Sequence, residues 1–231
     1  MRDWRQRAKH MVETQLVPRG VRREEVLRAC MDVPRHLFVR TQDESFAYED
    51  YPLPIGYGQT ISQPYMVGRM TELLDVSPGL KVLEVGTGSG YQAAILAELG
   101  ADVYTVERIP ALARQAQKNL RSAGYDVVVR FSDGCGGLRE FAPYDRVLVT
   151  AAADRVHPEW EEQLAEGGKI LVPIRVSFGT ERLLLRAKKS TGFEDAWYDY
   201  CRFVPLLSGL EGEDDNGDGR GRTENFSEDG E

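Results

Sequence analysis

The thirteen residues from Val82 to Ala94, VLEVGTGSGYQAA, restrict the fold more than any other stretch of this 231-residue chain. A β-branched run closes on an acid, passes through Gly86, Gly88 and Gly90, and opens a segment rich in Ala and Leu. That succession reads as strand, tight turn and helix, the unit in which α/β proteins lay a nucleotide against backbone amides at a helix N-terminus. Glycine at alternate positions removes the side chains that would otherwise stand between ligand and backbone.

The glycine spacing then selects among ligands. A dinucleotide fingerprint, G-x-G-x-x-G, needs its third glycine at position 91, where Tyr91 stands. A pyrophosphate is therefore disfavoured, and with it a nicotinamide-dependent oxidoreductase. Glu84 lies just before the glycines, and Glu107 closes the next apolar run, VYTVE, where the ribose-binding acid of such folds belongs. Carboxylates at two such strand ends suit ribose hydroxyls and a cationic amino-acid group. S-adenosylmethionine has both and carries no phosphate. For the glycines taken alone, an ordinary structural turn is the alternative.

Charge matters here only once it is located. The chain carries a formal −8, but residues 211–231 hold nine acids and two arginines, −7 in all, which leaves about −1 for the rest. A body so close to neutral lacks the phosphate-neutralising surface of a nucleic-acid binder. No apolar run approaches the roughly 20 residues of a membrane span, and MRDWRQRAKH is no secretion signal, so a cytoplasmic location is expected. Three cysteines, Cys30, Cys135 and Cys201, without C-x-x-C spacing, read as free thiols, and no metal site is expected.

Along the chain, Trp4, Ala8, Met11, Val12 and Leu16 recur at helical spacing up to Pro18-Arg19-Gly20. A second helix from about Arg23, with Val26, Leu27 and Cys30 on one face, stops at Val33-Pro34. Both are expected to pack on the main body, with a direct role in the site as the alternative. Residues Tyr48 to Gln63 hold two prolines and two glycines without periodicity and read as an ordered, irregular loop. Pro64 then opens a helix with Met66, Met70, Leu73 and Leu74 inward, so Gln59-Thr60-Ile61-Ser62-Gln63 precedes a helix N-terminus. That position suits an anion; equally, Ser62 or Thr60 could cap the helix.

After Pro78-Gly79, strands are predicted at Lys81–Val85, Asp102–Glu107, Asp126–Ser132, Tyr144–Thr150 and Gly168–Pro173. Helices at Tyr91–Leu99 and Ile109–Ala123 fall between the first of them. This alternation predicts an α/β, mostly parallel, doubly wound sheet, with ligands at the C-terminal strand ends, where Glu84, Glu107, Asp133 and Thr150 fall. Asp133-Gly134 could accept an adenine amino group beside a glycine that admits the ring, or be a plain Asp-Gly turn. Glu181–Ala187 and Ala196–Leu206 are expected to complete one edge as antiparallel strands. The polar, Gly-rich tail from Glu211 is expected to be disordered. Its Asp214, Asn216, Asp218 and Gly219 match half of a calcium loop, but Asn225 replaces the twelfth-position acid, so calcium is not expected.

With these residues placed, the chain resembles the protein-L-isoaspartate O-methyltransferase family from about Met11 to Leu207. The resemblance rests on VPRHLFV, LPIGYGQTISQP, VLEVGTGSGYQAAILAEL, YTVERIPAL, APYDRVLVTAAA, LAEGGKILVPI and RFVPL, of which GQTISQP is far more specific than the glycine turn. It implies a Rossmann-like class I methyltransferase fold and S-adenosylmethionine as cofactor. The substrates implied are proteins and peptides containing L-isoaspartyl residues. The α-carboxylate is methylated, and collapse of the ester to a succinimide starts repair. Ser62 takes the place of the active-site serine, with Thr60 and Ile61 lining the site beside the cofactor. Glu84, Val85, Gly86, Gly88, Glu107, Asp133 and Gly134 match the cofactor motifs, Glu107 serving ribose and Asp133 adenine. The length suits one domain, over residues 1–210 (helices 1–47, site loop 48–65, core 66–210), with a tail over 211–231, and the resemblance implies a monomer.

Two positions depart from the family. Glu181 stands where glutamine is frequent, and Cys135-Gly136-Gly137 is an uncommon continuation after Asp133-Gly134. A carboxylate at 181 would repel a carboxylate substrate unless it points away or is protonated. A non-catalytic, cofactor-binding adaptor of the same fold is therefore the second reading. A nucleic-acid amino-methyltransferase is disfavoured, because Thr150-Ala151-Ala152-Ala153 replaces its Asn/Asp-Pro-Pro-aromatic motif.

Overall fold

Alternate residues of the central strands enter two different cores, which is how a sheet comes to be covered on both faces. Val82, Leu148 and Leu171 pack on one side, while Leu83, Val85, Val147, Val149, Ile170 and Val172 pack on the other. The computed structural model describes residues 4–212. Its main sheet has seven strands: β3 (Lys81–Val85), β4 (Asp102–Glu107), β5 (Val128–Phe131), β6 (Tyr144–Val149), β7 (Leu164–Ser177), β8 (Thr180–Lys189) and β9 (Gly192–Cys201). They lie in the order β5-β4-β3-β6-β7-β8-β9. The first five in this order are parallel, and β8 and β9 are antiparallel. The chain winds outward from β3 through β4 to β5, then returns to β6 on the other side of β3. The reversal opens a crevice at the C-terminal ends of β3 and β6, where ligands of such sheets gather.

Helices α4 (Tyr91–Glu98) and α5 (Pro110–Ala123) follow β3 and β4, and the short α6 (Pro158–Glu162) precedes β7. Six of the eight residues of α4 are buried, in keeping with its lack of a polar face. The N-terminal helices, α1 (Trp4–Met11) and α2 (Glu24–Asp32), share one buried cluster with the sheet and with α3 (Pro64–Leu74). The first is shorter than its periodicity predicts. After Met11 the chain makes a π turn, Val12–Leu16, and a 3-10 turn, Val17–Arg19, which Gly20 ends at φ +93°. Val12 and Leu16 stay buried, so the apolar spacing is satisfied without continuous α geometry.

Other differences from the sequence expectation are local. The stretch Tyr48–Gln63 holds a hairpin, β1 (Leu53–Gly56) against β2 (Gln59–Ile61), turned by Gly56, Tyr57 and Gly58 at positive φ. Strands of four and three residues are too short to show alternation. The last strand begins at Gly192 and ends at Cys201, so residues 202–207 leave the sheet. The tail's expected disorder and its half calcium loop lie outside the described residues, except at Glu211 and Gly212.

Candidate active site

The crevice between β3 and β6 deepens into a cleft that is partly open to solvent. Gln59 to Ser62, Glu84 to Ser89, Glu107 to Ile109, Gly134, Thr150, Ala151 and Val204 to Leu207 are among its lining residues. Of the residues expected from sequence, Thr60, Ile61, Ser62, Glu84, Val85, Gly86, Gly88, Glu107 and Gly134 meet there. Asp133 does not line the cleft.

The glycine turn is shaped by its surroundings. Gly86 has φ +100°, and a β-carbon on it would lie 2.5 Å from Thr150 Oγ1. That hydroxyl donates toward the carbonyls of Gly86, at 2.6 Å, and Val85, at 3.0 Å. A β-carbon on Gly134 would meet Val85 Cγ1 at 2.5 Å, so this position must also be bare.

Glu84 is fully buried. Thr87 donates to Thr105 at 2.7 Å, since the Thr105 hydroxyl is itself given to Glu84 Oε2 at 2.6 Å. The other oxygen, Oε1, is buried without a partner. Desolvation pushes the Glu84 carboxyl up to about 8, with the charge of Glu107 adding to the effect and the Thr105 bond opposing it. Glu107 is also raised by burial, against the amides that bind its charged form. Gly88 N–H donates to its Oε2 at 2.9 Å and Ile109 N–H to its Oε1 at 3.0 Å, which orients the carboxylate and leaves each oxygen a further lone pair.

Ser62 sits between β2 and α3. The N-cap of α3 is Gln63, with no side-chain cap bond, so Ser62 does not cap the helix. Among the described residues nothing hydrogen-bonds its hydroxyl, while its carbonyl accepts from Arg35 Nη2 at 2.7 Å.

Asp133 is engaged by the protein itself. Its Oδ1 accepts from Cys135 N–H at 2.9 Å and its Oδ2 from Gly209 N–H at 2.6 Å. Partial burial would raise its carboxyl, but the amides of Gly209 and Cys135 more than offset this and hold it below the usual range. Gly209 belongs to a strap, residues 204–211, that crosses the C-terminal strand ends. The strap bonds to Ala152 after β6 through Val204 O and Leu206 N–H, both at 2.8 Å. Beyond Asp133 it meets Arg108, which donates to Gly209 O at 3.0 Å and pairs with Glu211 at 2.9 Å. Glu211, read from sequence as the start of the tail, is thus fastened to the body.

The two departures from the family pattern have local explanations. Gly137 has φ +66°, and a β-carbon there would fall 2.5 Å from the Gln163 amide, whose Nε2 donates to Gly136 O and whose Oε1 accepts from Leu138 N–H. Glu181 is buried in the β8–β9 edge, accepts from Phe203 N–H at 3.4 Å, and lies outside the cleft lining.

Sequence reasoning did not single out Arg35, Arg108 or the strap for the site. Arg35 lay inside VPRHLFV and the strap began inside RFVPL, but no periodicity or spacing marks a buried clamp.

This arrangement has counterparts. The family described as Protein-L-isoaspartate(D-aspartate) O-methyltransferase matches residues 6–211. A protein-L-isoaspartate O-methyltransferase of Gloeobacter violaceus is 48% identical over 197 residues, 85% of this chain and 96% of its own length. One of Geobacter metallireducens is 48% identical over 200 residues, 86% of this chain and 93% of its own. A solved protein-L-isoaspartate O-methyltransferase superposes with TM-score 0.80 at 29% identity, covering 89% of this chain and 67% of that one. A Plasmodium falciparum chain, solved in complex with S-adenosyl-L-homocysteine, superposes at 0.76 with 24% identity over 87% of this chain and 99% of that one, a likeness of fold.

Proposed function

The chain belongs to the protein-L-isoaspartate O-methyltransferase family, and from that premise we propose how its cleft residues divide the work. It is an S-adenosylmethionine-dependent protein carboxyl methyltransferase that acts on L-isoaspartyl residues and initiates their repair. The cleft fits the cofactor on two counts. Glu84 Oε1 is a buried acceptor without a partner, and the Glu107 carboxylate has free lone pairs beside the glycine turn.

In this reading Glu84 faces the cationic amino-acid end of the cofactor and Glu107 its ribose hydroxyls. Val85, Gly86 and Gly88 present backbone, Gly134 leaves room for the adenine, and Thr60 and Ile61 close the side toward the substrate. The Asp133 carboxylate serves adenine indirectly, by fastening the strap over the pocket. When bound, the cofactor supplies a methyl group activated by its sulfonium.

A free α-carboxyl group has a reference pKa of roughly 3.3 to 3.7, so at neutral pH the accepting oxygen is already ionised and no general base is required. The chain's task is to hold that carboxylate and exclude water from it. The observation that carries the assignment is the Ser62 hydroxyl, uncommitted and on the cleft wall between Thr60–Ile61 and the α3 N-terminus. It donates a hydrogen bond that orients the carboxylate without removing its charge. Glu181, outside the cleft, does not oppose an anionic substrate, which favours an enzyme over a non-catalytic adaptor.

We further read residues 1–210 as one domain that acts as a cytoplasmic monomer on isoaspartyl proteins, without nucleic-acid or membrane partners. In support, no described helix is long and apolar enough to cross a membrane, and the charge outside the tail is close to zero.

The test is transfer of labelled methyl from S-adenosylmethionine to an isoaspartyl peptide beside the same peptide with normal aspartate. Base-labile label on the isoaspartyl peptide alone is expected. Ser62→Ala is expected to lower kcat by about 10²-fold, the scale of losing one pre-oriented donor, with cofactor affinity kept; a native kcat would remove Ser62 from the reaction.

A further inference from the structure

The segment VPRHLFV places a guanidinium directly behind the Ser62 backbone, and the function described so far makes no use of it. Arg35 is fully buried, on a 3-10 turn that follows Pro34. Its Nε donates to Ala47 O at 2.7 Å and its Nη2 to Ser62 O at 2.7 Å. The guanidinium lies 4.7 Å from the ring centroid of Tyr91, the first residue of α4 and part of the cleft wall. One rigid fork thus ties the site loop, the N-terminal segment and the cofactor helix together.

Ion pairing does not account for this residue. No carboxylate among the described residues pairs with Arg35, and its buried Nη1 makes no hydrogen bond of full geometry, the Tyr91 hydroxyl being the polar group that acts on it. Burying a cation in this way is costly, and an apolar side chain of similar volume is often as stable or more so. What the fork provides is geometric. Ser62 lies between the last residue of β2 and the first turn of α3, so no sheet ladder or helix bond engages its carbonyl. Arg35 is the partner of that carbonyl. Fixing it sets the 62–63 peptide plane, and with it the direction in which the Ser62 side chain leaves the backbone.

We propose that Arg35 is a positioning residue for methyl transfer, holding the Ser62 backbone so that its hydroxyl stays aimed at the isoaspartyl carboxylate. This rests on the assignment of Ser62 made above.

A double-mutant cycle tests it. Arg35→Lys keeps the charge but loses the planar fork that spans two carbonyls. Arg35→Met removes the buried charge at similar volume, so it provides a folded variant should the lysine variant not fold. Each is made in the native chain and in Ser62→Ala, with folding checked by circular dichroism. In the native background kcat is expected to fall by about 10- to 100-fold, the range that follows from misplacing a positioning group by about an ångström. The dissociation constant for S-adenosylmethionine, measured by calorimetry, should stay within about threefold. In the Ser62→Ala background the same changes should alter kcat by no more than about twofold, because residues acting as one unit are non-additive.

An equal fall in both backgrounds, a native kcat in the Arg35 variants, or a parallel loss of cofactor affinity would each overturn the proposal and leave a packing role. A native kcat in Ser62→Ala alone would instead overturn the assignment of Ser62. The two failures are thus told apart.

Discussion

Replacing Glu84 by glutamine should change the pH dependence of stability by an amount that follows from its surroundings. In the protein without cofactor the carboxylate is fully buried, with one hydrogen-bond donor and one bare oxygen, and its pKa is pushed up to about 8 from 4.5. A group whose folded pKa is raised contributes stability that is complete below the unfolded pKa. It is lost as pH rises through the folded pKa. The window is therefore pH 4.5 to 8. One proton is involved, so the slope is at most about 1.4 kcal/mol per pH unit and the total about 5 kcal/mol, an upper bound for so buried a group. Glu84→Gln keeps the shape and the acceptor for Thr105 but does not titrate. Unpaired amide protons add a cost of about 1 to 3 kcal/mol that does not change with pH. Urea unfolding of both proteins at pH 5, 6, 7 and 8 isolates the effect: the variant should gain on the native chain steadily, while contributions from Glu107 and Asp133 largely cancel. A difference that stays flat across the series would refute the burial argument. With S-adenosylmethionine bound, a cation facing Glu84 should expel the proton. Calorimetry at pH 7 in buffers of unlike ionisation enthalpy should then show proton release, absent in the variant.

Two further outcomes follow from the cleft walls. Gly86→Ala combines a positive φ with a 2.5 Å approach to Thr150 Oγ1. Strain of about 1 to 2 kcal/mol and a displaced hydrogen bond of about 1 kcal/mol should lower Tm by about 5 to 10 °C at this chain length; unchanged melting would show that the turn relaxes freely. Arg108→Ala removes two strap fastenings. It should raise amide hydrogen exchange in residues 208–211 and speed cofactor release by about tenfold, the effect of about 1.4 kcal/mol. Native exchange there would mean that Asp133, Ala152 and the Arg108 carbonyl, which accepts from Glu211 N–H, suffice to hold the strap.

What could be read beforehand was whatever repeats or is local. Strand β3, from Lys81 to Val85, and β4, from Asp102 to Glu107, lie where the sequence predicts them, because buried parallel strands are continuous apolar runs between turn residues. The glycine turn and the acids on either side of it, Glu84 and Glu107, were legible for the same reason, since each acid closes an apolar run beside a turn. Arg35 was not, because its partners lie 12 and 27 residues away on carbonyls that carry no side-chain signature. The strap escaped notice because its sequence, Val204 to Glu211, is neither periodic nor charged enough to mark a fastening. Asp133 was read by its neighbour Gly134 and by its place after a strand, yet its bonds are set by Cys135 and by Gly209, 76 residues on. The β1–β2 hairpin shows a further limit, for three or four residues give no period to count.

The fastening of Asp133 also bears on how this enzyme ages. An Asp-Gly pair is the kind of sequence in which isoaspartate forms, when the next backbone nitrogen attacks a protonated side-chain carboxyl, and Asp133-Gly134 is such a pair at the edge of the cleft. The amides of Cys135 and Gly209 keep that carboxyl ionised, hence a poor electrophile, and tether both its oxygens. With the strap closed, Asp133-Gly134 should therefore form isoaspartate more slowly than an untethered Asp-Gly pair, such as the tail's Asp218-Gly219 and Asp229-Gly230 in an unfolded peptide.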